Sequence, residues 1–378
     1  LPVDLARAAY CLLGLPFHGV DLDAAMARIR QAIATRQTLI LTTPNVNFAV
    51  ACARDARFRD AVLDSHLLVA DGMPLVWIAR LLGVPIHERV AGSELFQRLR
   101  ESAPGAAGPV RVFFFGGPPG AAETACRVLN AAARGMIGVG WHSPGYGSIQ
   151  DMSAPEVIDG INASRADFLV VALGAAKGQA WIQHNRARLA VPVISHLGAV
   201  VNFVAGTVSR APRWMQRAGL EWLWRIKEEP GLWKRYRADG GALFKLLLTG
   251  VLPLAWQRWR RSPFKLRYGR WDRAVEHGTI VLRLQGTWLD ENLEPLRLAL
   301  STLAGQPAPL RVDLSGVFDV DSAFVGSLLL LHGFRTSRGL PLAVSGAQGD
   351  VYRVLRWCGA DFILQGAAAE KSALAGRH

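Results

Sequence analysis

A chain of 378 residues is long enough for two domains and an appended segment. With 51% hydrophobic and 19% charged residues it is globular, which excludes a disordered or fibrous chain. A formal net charge of +13 calls for an anionic partner: nucleic acid, acidic lipid or a phosphorylated substrate.

The first two hundred residues alternate between short β-rich runs and helical patterns. The runs are 38–43, 67–70, 111–117, 136–140, 167–174 and 191–198. Helical spacing covers 23–36, 47–64, 73–82, 93–101, 119–133, 155–164 and 177–189. Continuously apolar strands with intervening helices predict a parallel sheet covered on both faces, with its ligands beyond the carboxyl ends of the strands. Thr43-Pro44-Asn45, Asp71, Gly116-Gly117 and Gly174 fall at such ends. Asp71 is the most pointed of these. In "LLVADGMPLVW" a lone acid closes an apolar strand, and a buried carboxylate must be solvated, paired or kept for chemistry. It is the acid best placed to act as a base; capping the helix that starts at Met73 fits the same position.

Residues 208–270 read differently. Fifteen Lys and Arg side chains, from Arg210 to Arg270, interleave with Trp214, Trp222, Trp224, Trp233, Trp256 and Trp259. The apolar stretch between them, 242–256, is expected to be too short and too interrupted to span a bilayer, and no uninterrupted apolar run in the chain reaches the ~20 residues a spanning helix needs. Cations, interfacial tryptophans and a modest apolar run fit an in-plane membrane helix. A nucleic-acid surface has no use for the apolar run, and a solvated basic face packed on its own domain is the alternative; membrane-surface binding is the favoured reading. After Gly278, runs at 279–286, 310–316 and 340–346 alternate with helical patterns at 291–303, 322–338 and 350–358, a second small α/β unit.

Other chemical signals are weak. Cys11, Cys52, Cys126 and Cys358 lie far apart and fit buried thiols in a reducing compartment. "FFFGGPPGAAETA" (113–125) has the form of a phosphate loop but lacks the third glycine of a dinucleotide fingerprint and the Lys-Ser/Thr of a Walker sequence, so a nicotinamide-linked oxidoreductase is poorly supported. The histidines show no metal-ligand spacing, no metal site is expected, and Ser195-His196 reads as a strand end. No signal peptide is visible.

The stretches 42–96, from "TTPNVNFAV" to "ERVAGSELF", and 202–237, "NFVAGTVSRAPRWMQRAGLEWLWRIKEEPGLWKRYR", resemble the WecG/TagA/CpsF glycosyltransferases over about Leu12 to Arg237. The resemblance implies a Rossmann-like, metal-independent, inverting transferase without cofactor, peripheral on the cytoplasmic face of a bacterial inner membrane. It implies transfer of N-acetylmannosamine, a uronic acid or a hexose from a UDP-sugar to a polyprenyl-diphosphate-linked saccharide in cell-surface or exopolysaccharide synthesis. Asp71 then matches the proposed base. Thr43, Asn45, Arg89, Gly174, Lys177 and Gln179 match donor-side positions, and Arg210, Arg213, Arg217 and Arg225 match a segment that closes over the site to hold diphosphate. For Arg89 an ion pair with Glu88 or Glu94 is the alternative, and for the four arginines a pairing with Glu221, Glu228 or Glu229. The chain departs from its relatives at Gly178 and Gln179, which stand for Gln-Glu, and at Asn202, which stands for Asp; a different donor sugar is the expectation drawn from these changes.

The stretch 310–364, beginning "LRVDLSGVFDVDSAFVG", is similar to STAS domains, the anti-sigma-factor antagonist family. That likeness implies a protein-interaction module in which Ser322 is the regulatory phosphorylation position; Phe324 occupies a place that is normally small, and Ser322 as an ordinary N-cap is the alternative. The expected organisation is a transferase domain at 1–207, a basic Trp-rich segment at 208–270 and a STAS-like domain at 271–378. The expected partners are a UDP-sugar, a polyprenyl-diphosphate acceptor, an anionic membrane surface and a protein bound through the STAS-like unit, and not nucleic acid. A non-catalytic scaffold at the membrane is the competing function.

Overall fold

The computed structural model describes residues 5–105, 108–132, 134–209, 211–212, 214–215, 219–260 and 268–364. The chain opens with an unexpected hairpin, β1 (Ala9–Leu12) and β2 (Leu15–His18). Its two-residue turn puts Leu13 and Gly14 at φ 52° and 83°, the handedness that tight hairpins favour. Both strands are buried throughout, so the sequence shows no alternation to reveal them.

The first half continues as α1 (Leu22–Thr35), β3 (Leu39–Thr42), α2 (Val46–Arg54), α3 (Ala56–Leu63), β4 (Leu67–Leu68), α4 (Met73–Leu82), α5 (Gly92–Glu101), β5 (Val110–Gly116), α6 (Ala121–Ala132), β6 (Met136–His142), α7 (Pro155–Ala163), β7 (Phe168–Ala172), α8 (Ala175–Asn185), β8 (Val193–His196) and α9 (Gly198–Ala205). The six strands β3 to β8 form one parallel sheet in the order β4-β3-β8-β7-β5-β6. One face packs Phe96, Leu129 and Val201; the other packs Ile158, Ile161 and Trp181. The single helix expected over 47–64 is two. Asp55 is extended, closes α2, and accepts hydrogen bonds from the N–H groups of Arg57 and Phe58 to start α3. An aspartate gains more as a cap than inside a helix.

The basic segment holds α10 (Glu221–Glu228) and a continuous helix α11 (Pro230–Arg260). This corrects the expectation of a short apolar stretch: α11 is long and apolar enough by length and composition to cross a bilayer. It widens into a π-turn at Leu247–Val251. Pro253 brings no N–H to that turn, and Gly250 lies where a Cβ would sit 2.5 Å from the Trp357 carbonyl oxygen. Its inner face, Leu243, Leu247, Val251, Leu254 and Ala255, packs against protein.

The C-terminal half comprises β9 (Gly269–Glu276), β10 (Thr279–Trp288), α12 (Glu294–Ala304), β11 (Leu310–Val320), α13 (Ser322–Thr336), β12 (Leu342–Ser345) and α14 (Gly349–Trp357), with sheet order β12-β11-β10-β9. β9, antiparallel to β10, is an exposed and charged edge strand that apolar periodicity could not find. The two halves share one core. Phe17, Phe48, Phe58 and Leu75 of the first half, Val251 of α11, and Leu282, Val312, Phe324 and Leu328 of the second belong to a single buried cluster. α13 is the keystone of it. Gly326 and Gly333, two turns apart, press on the backbone at Ala9 and Leu63, where a Cβ would come within 2.3 Å of each carbonyl oxygen. The buried Asp64 carboxylate of the first half pairs with Arg186 and lies 3.9 Å from Arg338 of the second.

Candidate active site

The carboxyl ends of β3, β4 and β8 form the floor of the site. Past its last paired residue β4 continues the ladder, with the Val69 N–H donating to Thr42 O at 3.1 Å and the Asp71 N–H to Pro44 O at 3.0 Å. These bonds set Asp71 beside the Thr43–Asn45 loop. Asp71 does not cap α4, which corrects the capping alternative. Gly72 holds the cap position at φ 145°, and no side chain caps the helix. The Asp71 carboxylate instead accepts from the Gly92 N–H at the start of α5. Gly92 is closely packed: a Cβ there would come 2.3 Å from the end of the Leu197 side chain and 3.1 Å from Thr43 Oγ1.

A charge cluster covers this carboxylate. Arg89, on the loop tied down by the Val90 N–H to Ala70 O bond, forms a close ion pair with Glu221 of α10 and lies 3.7 Å from Glu94. Glu88 points away and accepts from the Leu22 N–H, so of the two partners weighed from sequence Glu94 is near and Glu88 is not. Burial pushes the Asp71 carboxyl up to about 6; Arg89 pulls it down, Glu221 pushes it up, and the Gly92 N–H and Arg225 pull it down further. Arg225 also lies over the Phe203 ring of α9, 5.7 Å from its centroid. The result is a carboxylate that changes charge just below neutral pH at the mouth of a parallel sheet, the range suited to proton abstraction. Glu221 appears in the sequence only as a partner weighed for arginines nearby in the chain; its pairing with Arg89 spans 132 positions and leaves no local signal.

The remaining candidates separate. Thr43 is buried beside Gly92, and Asn45 is exposed, its side chain capping α2 through the Phe48 N–H. Gly174 opens α8 at φ 82° with free space around it. Lys177 donates to Gly147 O at 2.5 Å and so anchors the loop after β6. Gln179 is buried and donates to Thr42 Oγ1 at 2.7 Å, which in turn bonds Ser65 Oγ. That bond ties α8 to β3. Gly178 leaves the room that the His196 ring fills, since a Cβ would lie 2.3 Å from that imidazole. His196 Nε2 and Asn202 Oδ1 are both buried without a hydrogen-bond partner among the described residues. Gly116 and Gly117 pack on Ala172 and Val201, a tight turn and not an open anion cradle. Ser195 Oγ donates to Leu41 O, in keeping with a strand end. Arg210, Arg213 and Arg217 lie outside the described residues. In the second half Asp321, and not Ser322, caps α13, through the N–H groups of Ala323 and Phe324; the N-cap reading of Ser322 is corrected accordingly. Among the described residues no three His, Cys, Asp or Glu side chains gather into a metal-binding group.

The parallel sheet thus carries at its carboxyl edge an acid with guanidinium groups beside it, a setting suited to a charged ligand. Family comparison makes this specific: the WecG/TagA/CpsF glycosyl transferase model matches residues 10–261, and a STAS domain model described as Mlab matches 272–365. The chain belongs to the WecG/TagA/CpsF glycosyl transferase family and carries a C-terminal STAS domain. Similar curated proteins include a Bacillus spizizenii (strain W23) N-acetylglucosaminyldiphosphoundecaprenol N-acetyl-beta-D-mannosaminyltransferase, 29% identical over 52% of this chain and 73% of its own length. The enzyme of the same name from Bacillus subtilis (strain 168) is 28% identical over 52% and 74%. That of Staphylococcus aureus (strain MW2) is 23% identical over 59% and 85%.

Proposed function

We propose that this protein is an inverting glycosyltransferase that moves a sugar from a UDP-sugar to a saccharide on a polyprenyl diphosphate, with Asp71 as the general base. The carrying observation is the Asp71 carboxylate, freed from helix capping and held beside Arg89 at a strand end. An inverting transfer is one displacement. The acceptor hydroxyl attacks the anomeric carbon as its proton passes to Asp71, the new glycosidic bond forms, and the bond to the UDP oxygen breaks with its electron pair leaving on the diphosphate. Arg89 and Arg225, with Arg210, Arg213 and Arg217 of the closing segment, supply the positive field that stabilises this leaving group. Thr43 and Asn45 bound the donor side, with Gly174 and Lys177 beyond the end of β7, two strands away. The relatives' names, which specify an undecaprenol-diphosphate acceptor, support this acceptor class.

The same reading places the protein on the membrane surface, at the cytoplasmic face. α11 turns Phe244, Leu248, Leu252, Trp256 and Trp259 outward, and the neighbouring α4 exposes Trp77 and Leu81. Lys234, Arg235, Arg237 and Lys245 in the first half of the helix and Arg258 and Arg260 near its end accompany these apolar residues along the chain, a composition that suits a helix lying in an anionic interface. Packing of its inner face on protein favours an in-plane helix over a spanning one. Acceptor-dependent UDP release from a panel of UDP-sugars, with a short-chain polyprenyl-diphosphate-GlcNAc acceptor, tests the reaction. Release with at least one donor is expected, and none with any donor would contradict the proposal.

A further inference from the structure

Glu221 is the first residue of α10, yet its side chain serves a loop 132 positions away. The Arg89 and Glu221 side chains are 10% and 25% exposed, so their pair is largely screened from water. The chain leading into α10 is laid on the first turn of α4: Gly219, at φ 71°, sits where a Cβ would be 2.9 Å from Met73 Cβ and 3.0 Å from the Trp77 ring. Two independent contacts, one steric and one ionic, thus bring the basic segment down beside Asp71-Gly72. Among the described residues the charged groups facing Asp71 from the surrounding elements are Arg89, Glu221 and Arg225, with Glu94 bound to Arg89 from α5.

We propose that Glu221 is a positioning residue of the transfer reaction: by pairing with Arg89 it fastens α10 over Asp71 and balances the positive charge that Arg89 presents to that carboxylate. This rests on the reading of Asp71 as the base. Without Glu221, Arg89 keeps its charge and its contact with Glu94, loses its closest counter-ion, and draws more strongly on the Asp71 carboxylate. Asp71 then stays ionised to lower pH and becomes a weaker base, while α10 loses its tether. The diphosphate of a bound donor is the natural competitor for Arg89, so the pair also offers a route by which donor entry loosens the cover.

Two measurements on the full chain test this. The first is kcat/KM for acceptor-dependent release between pH 5 and 9, for wild type, Glu221→Gln and Glu221→Asp. The expected result is an acid limb shifted to lower pH in Glu221→Gln, with kcat down about tenfold, and a limb restored toward wild type in Glu221→Asp. An unmoved limb in Glu221→Gln would overturn the electrostatic role. The second is hydrogen exchange of 221–228, which needs no activity and so separates failure of this proposal from failure of the transferase reading. Glu221→Gln and Arg89→Gln should each accelerate exchange, and the double variant should add nothing further. Unchanged exchange in the single variants, or fully additive acceleration in the double, would overturn the tether.

Discussion

Asp71 and Asp321 occupy the same place in the two halves of this molecule. Each ends a strand and stands at the start of a helix, and from sequence each could be a helix cap. In the second half the carboxylate of Asp321 does cap its helix, with both N–H bonds at 3.0 Å, and its other oxygen takes the Asp290 N–H. It is fully used by the fold. In the first half the helix offers no such work. Pro74 lacks an N–H and the Leu75 N–H is already bonded to Gly72 O, so α4 has no donors at the usual capping positions. Asp71 is thereby left to Gly92 and Arg89, at the end of a cleft. A strand-ending acid becomes available for chemistry when the following turn satisfies itself.

The sharpest way to break this comparison is substitution at the two acids. Asp71→Asn is expected to lower kcat by about a thousandfold, and Asp321→Asn to leave kcat within about twofold; comparable losses in both would end the distinction. Wedging the halves apart comes next. Gly333→Leu puts a side chain against the Leu63 carbonyl, and stability should fall by about 3 kcal/mol or more, read as a drop in Tm and faster proteolysis between the halves.

The pH dependence sharpens the contrast. Asp71 is neutral below about 6, so kcat/KM should fall about tenfold per unit below that pH and level off above it. The folded-state value lies above the ~3.9 of an unfolded aspartate, so the protonated form is the one the fold prefers. Ionised Asp71 therefore weakens the fold as pH rises from about 4 through about 6. Asp71→Asn should accordingly raise stability by up to about 3 kcal/mol at pH 8 and by almost nothing at pH 4. The smallest effect belongs to Asp321→Ala, a loss of about 1–2 kcal/mol from a missing cap, read by denaturant unfolding.

Much of the first half was legible because its strands are uniformly apolar and its helices amphipathic. The parallel sheet, the strand-end position of Asp71 and the two family resemblances were all available from residue order. What escaped was set by distance or by burial on every side. The hairpin at Ala9–His18 has no polar face to betray its period. Gly326 and Gly333 read as weak points in a helix, and only the packed molecule shows them as the seats of a backbone-to-helix contact. Gln179 lies in a stretch that invites a donor-loop reading, and its bond to Thr42, 137 positions away, leaves no local signal. Glu221 and Arg89 are ordinary surface-type charges in sequence and become a pair only after the basic segment folds back.

The most direct test is acceptor-dependent UDP release by wild type and Asp71→Asn at pH 8, with melting curves for both. Loss of release in a variant that melts higher than wild type is the predicted result. Release that survives the substitution would contradict the assignment of Asp71 as the base.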